Sequence, residues 1–229
     1  MRKILIVLLS VVSAATCYAQ SQFLLDIVHN RSDFHVFRND SKPADTMKFY
    51  NESSADSPVE FTNYSNEEKI VTLSFKPFSY AETKYTKTSF DISQIFGEIT
   101  VETYSHGLPV RTSVSEDISL DNGSSKISFI LYPDNDIYII LHSGKISVRF
   151  RKTDLLMIAG ETIVFHRDGS YQYLDSFDYD LCLNRIITGI ISDRTALSND
   201  IRDRMSSFDD TSSAAYRRLW VTRRFLEEY

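Results

Sequence analysis

Tyrosine side chains near turns are the first residues in this sequence that could bind a ligand. Exposed tyrosine rings stack on sugar rings or anchor protein interfaces. Four tyrosines in or beside hairpins form the candidate glycan-binding set: Tyr64, Tyr104, Tyr171 and Tyr173. Tyrosine is also common on strands and at sheet edges, so the sequence leaves a structural role open beside the glycan-binding one.

Arginine is concentrated at the C-terminal end of the chain, where residues 176–229 hold eight Arg and no Lys. Arg binds carboxylate or phosphate through paired hydrogen bonds, and Trp is a frequent interface anchor. Four arginines flank the single tryptophan and form with it the candidate partner-binding set: Arg217, Arg218, Trp220, Arg223 and Arg224. The same segment also carries nine acidic residues, so ion pairing within the protein competes with partner binding.

The usual motifs of catalysis and cofactor binding are absent from the sequence. It has no Gly-x-Ser-x-Gly elbow, no Gly-x-x-x-x-Gly-Lys-Ser/Thr loop and no Gly-x-Gly-x-x-Gly fingerprint. Its five histidines include no i, i+4 pair, and no Cys cluster completes a metal site. The sequence therefore predicts no metal and no cofactor.

Paired carboxylates are a route to catalysis that leaves no local motif, because the two acids of a glycosidase can lie far apart in sequence. Glu98, Glu102 and Glu161 fall on expected strands. Solvent-facing strand residues are often Glu as well. A secreted glycan-active or other hydrolase is therefore the alternative to a non-enzymatic protein.

The composition is that of a folded, acidic protein. The chain has 229 residues, of which 42% are hydrophobic, and its formal net charge is -6. The hydrophobic share is too high for a disordered chain. Binding to nucleic acid needs a basic surface, so a nucleic-acid partner is not expected.

The N-terminus has the pattern of a secretory signal peptide. Basic Arg2 and Lys3 precede an apolar run over residues 4–12, and small residues follow up to Ala19. We expect cleavage between Ala19 and Gln20. The apolar run is shorter than the roughly 20 residues that a bilayer-spanning helix needs, so no transmembrane segment is expected in the mature chain.

The style of this segment resembles signal peptides of exported proteins from Gram-negative bacteria of the Bacteroidota type. The resemblance covers residues 1–19 and implies a periplasmic, cell-surface or extracellular protein. A lipid anchor at Cys17 is the competing interpretation, although Thr16 precedes it and the usual Leu is missing. Cleavage at Ala19 would leave Cys182 as the single cysteine, so we expect no intramolecular disulfide.

Period-two patterning dominates residues 20–175. Ile146, Val148 and Phe150 alternate with polar residues, as in a strand with one buried face. Four glycine-containing turns, with Gly107, Gly123, Gly144 and Gly169, are expected to close hairpins. We expect eight to eleven antiparallel strands.

The stretch from Val59 to Phe75 resembles the opening hairpin of many immunoglobulin-like sandwiches, because a polar turn separates two strand patterns. This resemblance favours a sandwich-like body over an open sheet or a barrel.

Residues 176–229 have a helical pattern. Apolar residues recur there at helical intervals, and residues 211–213 form a Thr-Ser-Ser sequence that can cap a last helix. We expect two or three amphipathic helices, which either pack on the sheet or project as a partner-binding arm.

The sequence as a whole therefore predicts an exported α+β protein with three parts. These are a signal peptide (1–19), a β-rich sandwich-like domain (20–175) and a helical C-terminal segment (176–229). The predicted function is non-enzymatic binding of an envelope protein or a glycan.

Overall fold

Fifteen strands and two helices make up the part of the chain that the computed structural model describes. The described residues are 23–27, 34–39, 45–52, 56–63, 68–86, 88–104, 108–132, 136–174, 198–211 and 213–228. The expected signal peptide, Tyr64 and Cys182 lie outside these ranges. The predictions for them therefore stay predictions, as does the division into domains.

The strands are β1 (Phe23–Ile27), β2 (Phe34–Asn39), β3 (Asp45–Asn51), β4 (Ser57–Asn63), β5 (Glu68–Phe75), β6 (Ser79–Tyr85), β7 (Phe90–Thr103), β8 (Val110–Ser113), β9 (Ile118–Asp121), β10 (Lys126–Leu131), β11 (Ile137–Ser143), β12 (Lys145–Phe150), β13 (Thr153–Ile158), β14 (Thr162–Phe165) and β15 (Tyr171–Leu174). Helix α1 covers residues 198–206, and helix α2 is Ala214–Glu228.

The long strand β7 belongs to both layers of a curled sheet. Its second half pairs with β5 and β10, within layer 1, whose order is β1-β4-β5-β7-β10-β11-β14-β15. Its first half pairs with β6 and β8, within layer 2, whose order is β2-β3-β6-β7-β8-β9-β12-β13. Each described pairing is antiparallel except that of β7 with β8, which is parallel.

The core lies between the two layers, where phenylalanine rings from both inner faces meet. Phe61 of layer 1 contacts Phe49 and Phe90 of layer 2, with ring centroids 5.8 and 4.6 Å apart. Farther along, the rings of Phe150 and Phe165 are 5.0 Å apart. The outward residues between these positions are mostly polar, which confirms the expected alternation.

Gly97 allows β7 to pass from one layer to the other. Its φ is +81°, and a Cβ at this position would lie only 2.7 Å from the Ser79 Cβ. Glycine adopts this backbone conformation without a steric penalty, and it also leaves room for the close approach. The turn between β5 and β6 wraps around the same point, since the Lys76 amide donates to the Glu98 carbonyl at 3.1 Å.

The expected number of strands was too low. Gly107 lies outside the described residues, and of the other three expected glycine turns only the one at Gly169 joins two paired strands. That turn joins the paired strands β14 and β15. The connections β7–β8, β9–β10 and β11–β12 instead carry the chain between layers. Several turns contain no glycine, as at Arg151, which takes a φ of +54° between β12 and β13.

The C-terminal helices dock on the outer surface of the sheet near the bend in β7. The Phe225 ring of α2 is 1% exposed and stacks on Tyr132 at 4.3 Å. The Ser213 Oγ caps the helix by accepting a hydrogen bond from the Tyr216 amide at 3.2 Å. The predicted α+β class, mainly antiparallel β with C-terminal helices, is therefore confirmed.

None of the helices in the described ranges is long and apolar enough to cross a bilayer.

Candidate functional site

Four exposed apolar side chains gather where the two layers end, and we call them the edge patch: Leu156, Ile158, Tyr171 and Tyr173. They are 54%, 52%, 41% and 39% exposed, and they are the large hydrophobic residues that are exposed within the described ranges. β13 is the last described strand of layer 2 and β15 the last of layer 1. The patch thus lies on both outermost strands at the same side of the molecule.

Strand alternation explains why the two aliphatic residues point outward. Leu155 and Met157 fill the core, at 5% and 0% exposure, so Leu156 and Ile158 must face solvent. Sequence reasoning missed these two residues. The available signal was the run Leu155–Ala159, because a strand with apolar residues on both faces buries only one of them in a two-layer sheet.

The backbone of β13 is already partly capped within the edge patch. The Tyr173 hydroxyl donates to the Leu156 carbonyl at 3.1 Å, and the Ile158 amide donates to the Glu161 carboxylate at 2.7 Å. Desolvation raises the pKa of Tyr173 still further above neutral pH, and its hydroxyl is a hydrogen-bond donor. Capped edges resist addition of a further strand, so this surface offers side chains rather than free backbone groups.

The four predicted glycan-binding tyrosines do not form one coplanar platform. The Tyr171 and Tyr173 rings are adjacent but meet edge to face, at 76° and 6.2 Å. Tyr104 is half-buried at the end of β7, four strands from β15 in layer 1, which is about 19 Å at ordinary strand spacing. Tyr64 lies outside the described residues.

Three of the four predicted partner-binding arginines, those whose side chains are described, make ion pairs inside the protein. Arg217 Nη1 lies 3.3 Å from Oε2 of Glu52, a carboxylate that is only 8% exposed. The Arg223 Nε donates to Glu227 at 2.7 Å, and Arg224 contacts the same carboxylate at 3.4 Å. The two Glu227 contacts are pairing within the segment, whereas Glu52 belongs to the β-rich part of the chain.

Trp220 is half-buried, and its ring stacks on that of Tyr216 at 6.5 Å. The Arg223 guanidinium lies over the Trp220 ring at 5.8 Å, an arrangement that favours a cation–π contact. Arg218 belongs to α2, but its side chain is not described. Binding of a partner by this set stays a prediction.

The three carboxylates singled out as candidate acids are well separated. Glu98 and Glu102 lie four residues apart on one strand, which is about 13 Å, whereas glycosidase pairs are about 5–9.5 Å apart. Glu102 contacts Lys126 at 3.8 Å, and Glu161 is held by the Ile158 amide at 2.7 Å. These residues do not form the opposed pair that a carboxylate hydrolase needs.

Histidines make structural hydrogen bonds in two places. His166 Nδ1 lies 2.9 Å from the Asp136 carboxylate, and His142 Nε2 lies 2.8 Å from the Ser128 hydroxyl. Burial, followed by the charge of Lys126, lowers the pKa of His142. No group of three or more His, Cys, Asp or Glu within the described ranges is placed to hold a metal ion.

A groove of about 740 Å³ lies between the helices and layer 2. Its floor includes Tyr50, Tyr80 and Phe96, but none of these three rings is more than 5% exposed. Its rim carries the ion pair Lys48–Glu82, with 3.4 Å between Nζ and Oε2. The described part of the groove therefore offers a ligand little aromatic surface.

Comparison with known proteins gives no assignment. No family model and no curated protein matches this chain. Two crystal structures of a candidate anti-sigma factor from Parabacteroides distasonis are similar to it, each at 11% identity and a TM-score of 0.38. They cover 68% and 62% of this chain, which spans only 61% and 56% of their length. A likeness at this level carries no conclusion about function.

Proposed function

We propose that this chain is an exported, non-enzymatic protein that binds a protein partner through the edge patch. The observation that carries the proposal is that the described exposed large hydrophobic residues gather on two neighbouring edge strands. Scattered exposed apolar residues are ordinary on soluble proteins, whereas a cluster of them is typical of an interaction site. Export is inferred from residues 1–19 alone.

The chemistry of the patch supports a protein partner rather than a glycan. Leu156 and Ile158 offer aliphatic surface, which packs well against apolar protein side chains. Sugar stacking needs an open aromatic face beside polar groups, whereas Tyr171 and Tyr173 stand edge to face. Tyr is enriched at the centres of protein interfaces and contributes much of their binding energy.

The partner is expected to dock with its side chains. Because the Leu156 carbonyl and the Ile158 amide are capped within the chain, strand addition would first have to break two hydrogen bonds. Burying the two exposed aliphatic side chains contributes about 1–2 kcal/mol each, at roughly 25 cal/mol per Å². The immunoglobulin-like form of the body remains a prediction, supported by the hairpin of β4 and β5.

The test uses the mature protein, tagged and added to envelope extract of the native cell. Leu156→Glu and Ile158→Lys should each reduce recovery of a stoichiometric protein partner about tenfold or more. Ser113→Glu is the matched control, since this exposed residue lies on β8, three strands from β13 in layer 2. Equal recovery by all three variants, with unchanged thermal midpoints, would remove the edge patch as the binding surface.

A further inference from the structure

Polar side chains form a stripe across the outer face of layer 1, beside the apolar part of that face, which includes Ile130 and Ile140 and packs with the helices. The first row follows the strand register from Glu60 through Thr72 and Glu102 to Lys126. Thr100 and Ser128 lie side by side in the next row, and His142 of β11 contacts Ser128. The stripe thus crosses the five strands β4, β5, β7, β10 and β11, which is about 19 Å at ordinary strand spacing.

The polar groups of the stripe hold one another in place. The hydroxyls of Thr100 and Ser128 are 2.7 Å apart, and the Ser128 hydroxyl is also 2.8 Å from His142 Nε2. Ser128 is only 4% exposed. Little water reaches its hydroxyl, and the two hydrogen bonds within the protein fix its orientation. A polar network ordered before the ligand arrives reduces the entropy lost on binding.

The charges of the stripe balance. Lys69 lies 2.7 Å from Glu60, and Lys126 lies 3.8 Å from Glu102. Both pairs are partly exposed, and so they contribute polar contacts rather than a net field. Such a surface favours an uncharged ligand rich in hydroxyl or amide groups over a polyanion, which needs excess positive charge.

Tyr104 lies at one side of the stripe. Its hydroxyl is 3.4 Å from that of Thr72, and the Lys69 ammonium lies 5.6 Å from its ring centre. An aromatic ring beside hydroxyl and carboxylate groups is the combination used to hold a sugar, because the ring covers the C–H face while polar groups bond the hydroxyls.

We propose that this stripe binds an uncharged glycan chain lying across the strands. The separation of neighbouring strands is close to the length of one hexose in a β-1,4-linked chain, so successive sugars, each flipped relative to the one before, would lie over successive strands. The site is distinct from the edge patch and does not depend on it. A protein with both surfaces would attach its protein partner to a glycan.

The test is isothermal titration of the mature protein with two uncharged oligosaccharides, cellohexaose and chitohexaose, and with heparin as the anionic probe. At least one uncharged oligosaccharide should bind more tightly than heparin. Glu102→Gln and His142→Ala should each lower that affinity about tenfold, the effect of losing one hydrogen bond to a charged or buried group.

Asp121→Asn is the matched control. Asp121 also pairs with a basic residue, with 3.2 Å to Arg111, but on the outer face of layer 2. The Asp121→Asn and Leu156→Glu variants should both bind the sugar with the affinity of the unmodified protein. Three results would each overturn the proposal: no binding of either uncharged oligosaccharide, tighter binding of heparin, or equal sugar affinity in the stripe variants and the control. Thermal midpoints identify any variant that has unfolded.

Discussion

Removing the Phe225 ring should release α2 from the sheet at a large cost in stability. The ring is 1% exposed, stacks on Tyr132 at 4.3 Å and meets Phe96 edge to face at 6.0 Å. Truncating a buried Phe to Ala costs about 3–5 kcal/mol, from lost burial and the cavity left behind. We therefore expect Phe225→Ala to lower the free energy of unfolding by about 3 kcal/mol or more.

The chain offers a specific probe for this experiment, because its single tryptophan, Trp220, lies on α2. Urea unfolding is followed by tryptophan fluorescence, which reports on the helix, and by far-UV circular dichroism, which is dominated here by the sheet. If the helix is docked, the two transitions coincide in the unmodified protein. In Phe225→Ala the midpoint of the fluorescence transition should move to a lower urea concentration, by at least as much as the midpoint of the circular-dichroism transition.

Arg223→Ala is the control, since it removes a partly exposed side chain from the same helix. It should change the free energy of unfolding by no more than about 0.5 kcal/mol. If Phe225→Ala were equally mild, α2 would be a projecting arm, and the docked arrangement would be wrong.

Three further predictions follow from named contacts. Gly97→Ala should lower the thermal midpoint more than Gly160→Ala does: both glycines have positive φ, but only at Gly97 would a Cβ have a heavy atom within 4 Å. Equal midpoints would contradict the close approach. Arg217→Ala should lower the free energy of unfolding, measured with urea, by about 1–3 kcal/mol, because buried Glu52 loses a charged partner. A loss as small as that of Arg223→Ala would argue against this pairing. Burial and Lys126 lower the pKa of His142 in the folded state from its ordinary value of 6.5. Between about pH 6.5 and the lowered pKa the unfolded chain therefore binds more protons, so the free energy of unfolding falls as the pH drops through this window. His142→Asn should flatten that part of the pH dependence, measured by urea unfolding, and an unchanged slope would refute the argument.

Local patterns predicted the parts of the fold that local interactions decide. The alternation in β12 placed Ile146, Val148 and Phe150 inside the core, where the structure has them. The polar sequence before α2 predicted a cap, and Ser213 supplies it. In both cases the neighbouring residues and the period of the element contain the information.

The path of the chain between layers could not be predicted in this way. A glycine permits a sharp change of direction, but whether the next strand pairs with the previous one depends on long-range packing. At Gly144 the chain leaves β11 for the other layer, whereas at Gly169 it turns back to pair. The two glycines have similar local sequences, each after a polar residue.

The candidate sites were predicted only in part. Tyr171 and Tyr173 were among the candidate glycan-binding residues, and both are exposed, but the neighbouring aliphatic residues Leu156 and Ile158 were not singled out. Whether an apolar strand residue is exposed depends on what covers its outer face, and only the assembled sheet shows that β13 lies at an edge. The polar stripe was missed for the same reason, because its rows join residues that are distant in sequence.

The most direct test of the proposed function is photo-crosslinking from position 156 in cells. A photoreactive amino acid replaces Leu156, and a second variant carries it at Ser113, which is exposed on β8 in the same layer. We predict a crosslink to one defined protein from position 156 and none from position 113. Absence of a protein crosslink from position 156, or the same products from both positions, would contradict the assignment of the edge patch as a protein-binding surface.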